Sequence, residues 1–236
     1  MGRLASDTSL QAELVQIEIL KAMSPHKKAA LFSAAVRAGL SLKGTTMTDP
    51  FDITWEVVEV LDELGIEYFV GGSVASTLHG EPRYTQDTDL VVRLTRGHVA
   101  PLAAALKEHF YVSEPALLEA IQHRSSANLV HFDTAYKVDL MISRERPFEK
   151  SRFQRRVQLP AGSHYFWVAS AEDTVLVKLE CYRLGQEVSD RQWRDILTVL
   201  LTAPTDPKYL EHWASELGVL DLLEKARHVL ANPGPG

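Results

Sequence analysis

A chain of 236 residues, 45% hydrophobic and 24% charged, is long enough to bury a proper core, and its composition is that of a soluble globular protein of one domain or two small ones. A net charge of −6 and a pI near 5.8 speak against a broadly nucleic-acid-binding surface, and the single cysteine, Cys181, excludes an internal disulfide and a Cys-rich metal site. No apolar run reaches membrane-span length and the N-terminus lacks a signal-peptide core, so no membrane association and a cytoplasmic location are expected.

Residues 1–46 read as an N-terminal helical extension. Apolar spacing predicts helices over Leu10–Met23 and Ala29–Leu42, broken at Ser24-Pro25, and Thr45-Thr46-Met47-Thr48 reads as a linker. Residues 49–169 then alternate between α and β patterns. Asp49-Pro50 is an N-cap followed by an N1 proline; Trp55, Val57, Val58, Leu61 and Leu64 form one helical face, and Gly65 stops it. A strand over Ile66–Val70 is followed by a short helix over Ser73–Leu78, capped by Ser73, and by a second strand over Leu90–Leu94. His98–Phe110 and Leu117–His123 read as helices, and Asn128–Phe132 with Tyr136–Ile142 as a hairpin. Tyr165–Val168 is the last strand expected.

Residues 170–231 read as helical throughout, over Ala171–Leu184, Asp190–Leu201, Pro207–Leu217 and Leu220–Ala231, with Ser170/Asp173 and Ser189/Gln192 resembling capping boxes. The tail 232–236 is disordered on composition. The expected class is α+β: a small mixed sheet flanked by helices, a helical C-terminal part and the N-terminal extension.

The residues that could do chemistry cluster after the first strand. Gly71-Gly72-Ser73 is either a turn that needs glycine for its backbone angles or a loop whose N–H groups approach a phosphate at a helix N-terminus. Asp87 and Asp89 stand two apart at the start of a strand, so both carboxylates project from one face, where a hard cation would relieve their repulsion. A Thr/Asp-rich turn that merely begins a strand is the plainer reading. Asp139 is a charge midway along the otherwise apolar strand Tyr136-Lys-Val-Asp-Leu-Met-Ile142, and needs either a Lys or Arg partner or a metal.

Gly71-Gly72-Ser73, Thr85-x-Asp87-x-Asp89 and the later Asp139 together resemble the nucleotidyltransferase superfamily of polymerase β-like fold, and more closely its small bacterial members of uncharacterised substrate. The likeness runs from Phe51 to Leu230. It implies Asp87, Asp89 and Asp139 as catalytic ligands of two Mg²⁺ ions, with Mn²⁺ as the substitute, and Asp139 also as recipient of the acceptor's proton. It implies Gly71, Gly72 and Ser73 as holders of the NTP phosphates, and transfer of a nucleoside monophosphate to an acceptor with release of pyrophosphate.

Arg83 and Lys178 are candidate phosphate contacts, with surface ion pairing as the alternative; Arg191, Trp193, Arg194 and Asp195 read as a solvated helix face, His79 as structural and Cys181 as a packed small hydrophobe. The acceptor, whether a small molecule, RNA or protein, is not encoded in any motif. The competing readings are a nucleotide-binding protein of the same fold without turnover and a toxin–antitoxin component acting through a partner protein.

Overall fold

The computed structural model describes residues 18–41, 49–83 and 85–232. The Thr45–Thr48 linker, the residues before Glu18 of the first expected helix and the tail beyond Asn232 lie outside the described residues.

Chain order within the described residues begins with α1 (Pro25–Ser41), preceded by helical residues 18–22 and a break at Met23-Ser24. The Ser24 hydroxyl and carbonyl accept from the Lys27 and Lys28 N–H groups, so serine and proline together restart the helix. Helix α2 (Pro50–Glu63) begins on Asp49, whose side chain accepts from the Phe51 N–H and also pairs with Arg37 of α1 at 2.6 Å. The first helix is therefore docked on the domain. Ala29, Phe32 and Val36 are fully buried in the same cluster as Phe51, Ile53, Val57 and Leu61, and the Phe32 and Phe51 ring centroids lie 5.1 Å apart.

Strand β1 (Tyr68–Val70) leads into α3 (Gly72–His79), β2 (Asp87–Val92), α4 (Val99–Leu106), β3 (Phe110–Tyr111) and α5 (Glu114–His123). The hairpin β4 (Ser126–His131) and β5 (Lys137–Ile142) follows, then α6 (Pro147–Arg155) and a second hairpin, β6 (Val157–Ala161) and β7 (His164–Val168). Helices α7 (Ala171–Leu184), α8 (Asp190–Thr202), α9 (Pro207–Glu216) and α10 (Leu220–Ala231) complete the order. One seven-stranded sheet runs β3-β4-β5-β2-β1-β7-β6, with β2/β5 and β1/β7 parallel and the other neighbours antiparallel.

Alternation along β2 gives each sheet face its own job. Thr88, Leu90 and Val92 point into the core; the Thr88 hydroxyl accepts from Thr54 of α2 at 3.1 Å and lies 3.0 Å from the Tyr136 hydroxyl of the neighbouring β5 segment. Asp87 and Asp89 are thereby fixed on the opposite face. A second apolar cluster, centred on Val175, Leu179, Ile196 and Leu223, fills the C-terminal helices and recruits Phe148 from α6.

Several expectations need correction. The second strand begins at Asp87, not Leu90, because β2 pairs with β5 along its whole length, aspartates included. Phe110 ends no helix: it is a strand residue paired with His131. Helix α6 and strand β6 are additional to the expected elements, the first because its face is anchored by Arg152 as well as by Phe148 and Phe153, the second because it is a half-exposed edge strand containing Pro160. By contrast α7 and α10 have the expected limits, and Ser170 and Ser189 accept from the Asp173 and Gln192 N–H groups.

Candidate active site

The turn at the start of α3 is shaped by one glycine. Gly72 has φ +51°, and a Cβ built there would lie 1.6 Å from Oδ2 of Asp89, so this position accepts no side chain while Asp89 stays where it is. Gly71, by contrast, has φ −118°, and its Cβ would meet a Val91 methyl at 3.5 Å and the Asp89 carbonyl oxygen at 4.0 Å, both ordinary contacts. The helix N-cap is Gly71, without any side-chain bond, and not Ser73 as expected. The Ser73 backbone N–H instead donates to the Asp89 carboxylate, and the Ser73 hydroxyl accepts from Arg83 Nη2 at 2.7 Å.

The three aspartates come together on the sheet. Asp89 and Asp139 are direct partners across the parallel β2/β5 pair, and Asp87 stands one pleat before Asp89 on the same face. Thr85 donates to Oδ1 of Asp87 at 2.6 Å. Among the described residues Asp139 has no ion-pair partner, and its Oδ1 is buried without a hydrogen-bond partner. Burial, followed by the charges of Asp87 and Asp139, pushes the Asp89 carboxyl up to about 6, against the opposing pull of Lys178 and the Ser73 N–H. Burial and then the charge of Asp87 raise Asp139 as well, with Lys137 opposing. As the side chains stand, no three His, Cys, Asp or Glu groups among the described residues are converged on one ion position. The donor chemistry nevertheless fits a hard divalent cation: oxygen ligands, mutual repulsion and an orphaned carboxylate oxygen, all on one face.

Beside the acidic face stands a pair of cations. Arg83 Nε and Nη2 fork onto Asp195 at 2.9 and 2.8 Å, and Lys178 Nζ donates to Oδ2 of the same carboxylate at 2.7 Å. Asp195 sits on α8, Lys178 on α7 and Arg83 in the α3–β2 connection, so three segments meet at one carboxylate. Burial alone would raise Asp195; its contacts with Arg83 and Lys178 override that and hold it below the ordinary carboxylate range. Asp195 is only 4% exposed, so its helix face is not the solvated one expected from the sequence. Arg194 next to it forks onto Glu81 at 2.7 and 2.8 Å.

Asp195 is the residue that sequence reasoning missed. Its partner Arg83 lies 112 positions away, and its local context, Arg191-Gln-Trp-Arg-Asp195, reads as charged surface. His79 accords with its structural assignment: its Nε2 lies 2.7 Å from the Ala169 carbonyl, tying the end of α3 to the start of α7. Cys181, expected to be packed, is exposed.

No protein-family model matches the chain, and no curated protein matches it. Among solved structures it is similar to an antigenic nucleotidyltransferase-like protein from Paracoccidioides brasiliensis, at a TM-score of 0.50 and 22% identity over 75% of this chain and 89% of the other. The fold is that of a nucleotidyltransferase-like protein. The antibiotic-resistance factor ANT(2'')-Ia is also similar, at a TM-score of 0.42 and 14% identity over 78% of this chain and 97% of its own. Among the described residues no helix is long and apolar enough to cross a membrane.

Proposed function

We propose that this protein is an enzyme that transfers a nucleoside monophosphate from an NTP to an acceptor and releases pyrophosphate. The observation that carries the reading is the pairing of Asp89 with Asp139 across parallel strands, with Asp87 alongside and the Oδ1 of Asp139 unsatisfied. A carboxylate such as Asp89, whose proton affinity is raised by burial and by two neighbouring carboxylates, makes a poor surface feature and a good cation ligand.

Asp87, Asp89 and Asp139 would hold Mg²⁺, with Mn²⁺ as the substitute. Bound there, the cation would neutralise triphosphate charge and stabilise the attacking and leaving oxygens at the α-phosphorus. Asp139 would take the proton of the acceptor nucleophile, a role supported by an Oδ1 that has no hydrogen-bond partner among the described residues. Arg83 and Lys178 supply positive charge beside the α3 turn for the β- and γ-phosphates. Phosphoryl transfer needs positioning and charge neutralisation more than a covalent nucleophile, and this inventory provides both.

Incubation with each α-labelled NTP, Mg²⁺ and candidate small-molecule, RNA and protein acceptors tests the reading. Label transfer or pyrophosphate release that disappears in Asp87→Ala and Asp89→Ala supports it. Nucleotide binding without release in every condition would favour a protein that kept the fold without turnover. Calorimetry showing no NTP binding with Mg²⁺ or Mn²⁺ would sink the proposal.

A further inference from the structure

We propose that Asp195 is a positioning residue for the triphosphate, acting through Arg83 and Lys178. The inference rests on the nucleotidyltransferase reading and extends it to a residue outside the acidic face. An arginine and a lysine side by side repel each other and carry long, mobile side chains. Here one buried carboxylate holds both. The two-point fork from Arg83 fixes the plane of its guanidinium, and the remaining reach of Nη2 is directed onto the Ser73 hydroxyl at 2.7 Å. Lys178 donates to the same carboxylate and still pulls on Asp89 through space. Arg83 thus reaches the α3 turn at Ser73, and Lys178 acts on Asp89 of the acidic face, so a triphosphate held at that turn would meet both anchored cations.

The arrangement has a further property. Arg83 precedes β2, whereas Lys178 and Asp195 belong to the C-terminal helices, so the carboxylate sets the cations relative to each other across two parts of the chain. Substituting the neutral isostere at Asp195 keeps Arg83 and Lys178 and removes the carboxylate that orients them, together with one negative charge that would itself repel the phosphates. Loss of affinity would mean that orientation matters; gain of affinity would mean that Asp195 competes with the phosphates for the two cations.

Calorimetric titration of the full chain with Mg²⁺ plus tripolyphosphate, and with Mg²⁺ plus each ribonucleoside triphosphate, separates these outcomes. For Asp195→Asn the expected result is a Kd at least about tenfold weaker than wild type, the scale of one charge-assisted bond. In turnover the loss should fall on KM for the NTP more than on kcat. Arg83→Lys, which keeps every charge but loses the fork, should weaken binding in the same direction and serves if Asp195→Asn does not fold. A folded Asp195→Asn protein, or Arg83→Lys where the former is unfolded, that binds as tightly as wild type or tighter overturns the inference and leaves the enzyme reading standing. Wild-type protein that binds none of these ligands overturns both.

Discussion

Gly72 and Asp89 occupy mutually exclusive space with any larger residue at position 72: a Cβ there would stand 1.6 Å from the carboxylate oxygen. Gly72→Ala must therefore either displace Asp89 from the Ser73 N–H or shift the start of α3, and it also places a side chain at φ +51°. The expected cost is about 1–3 kcal/mol in chemical denaturation, together with loss of nucleotide binding. Gly71→Ala, at an ordinary φ and with a 3.5 Å methyl neighbour, should stay within about 1 kcal/mol of wild type. Equal losses for the two variants would contradict the assignment of the steric constraint to Gly72.

Asp89 gives the cation-free protein an inverted acid response. Its carboxyl is raised from 3.8 to about 6, so between those values the folded state binds the proton more tightly than the unfolded chain. This residue's contribution therefore improves stability as pH falls from 7 towards 5, by at most about 1.3 kcal/mol over that window and by less after solvent screening. Urea denaturation of wild type and Asp89→Asn at both pH values isolates the difference, which should be flat for the variant. Cation affinity should run the other way and weaken below about pH 6, because the proton and the ion compete for the same carboxylate.

Asp139→Asn separates function from folding. The substitution removes a half-buried charge that has no ion-pair partner among the described residues and is raised by Asp87, so the melting temperature should be unchanged or higher. Transfer activity should fall by about a thousandfold, on the scale of losing one preorganised electrostatic group at a reacting centre. A variant that melts early and retains turnover would contradict the role given to Asp139.

On the far side of the same strand, Thr88→Val should cost about 1–2 kcal/mol in urea denaturation, because it strips the buried Thr54 and Tyr136 hydroxyls of a shared partner. The carboxylates point away from this substitution. NTP affinity at saturating Mg²⁺ should consequently change far less than stability.

Phe32→Ala tests whether the N-terminal helix is an accessory. Its ring is fully buried against Phe51, so truncation should destabilise the whole domain by about 3–5 kcal/mol in a single transition. A wild-type midpoint, or an early partial transition confined to α1, would mean that the helix is loosely attached.

The contrast between α7 and α6 shows what made parts of this fold legible. Helix α7 is bounded by a Ser cap and a Gly stop, signals contained within the segment itself, and its limits follow directly. Helix α6, Pro-Phe-Glu-Lys-Ser-Arg-Phe-Gln-Arg155, buries Glu149 and Arg152 along with its two phenylalanines, so its inward face carries no apolar period. The guanidinium of Arg152 lies 4.8 Å from the Phe69 ring centroid and does the packing that a leucine would signal openly. The acidic site was readable for the opposite reason. Asp87 and Asp89 are close in sequence, and Asp139 violates an otherwise apolar strand. Asp195 obeys every local rule of an exposed helix, and only long-range contacts with Arg83 and Lys178 reveal its burial.

The short helix α3 is gripped at its far end as well. The His79 carbonyl there accepts from buried Lys28 of α1 at 2.8 Å and from Thr202 of α8 at 2.7 Å. Lys28 lies at the negative end of the helix dipole, where a positive charge is favoured. Two helices remote in sequence, α1 and α8, thus converge on the helix whose opposite end faces the aspartates. The consequence is mechanical: the glycine turn cannot slide along the helix axis without breaking contacts to both of them. Loosening either contact would leave the three aspartates in place and release the turn that faces them.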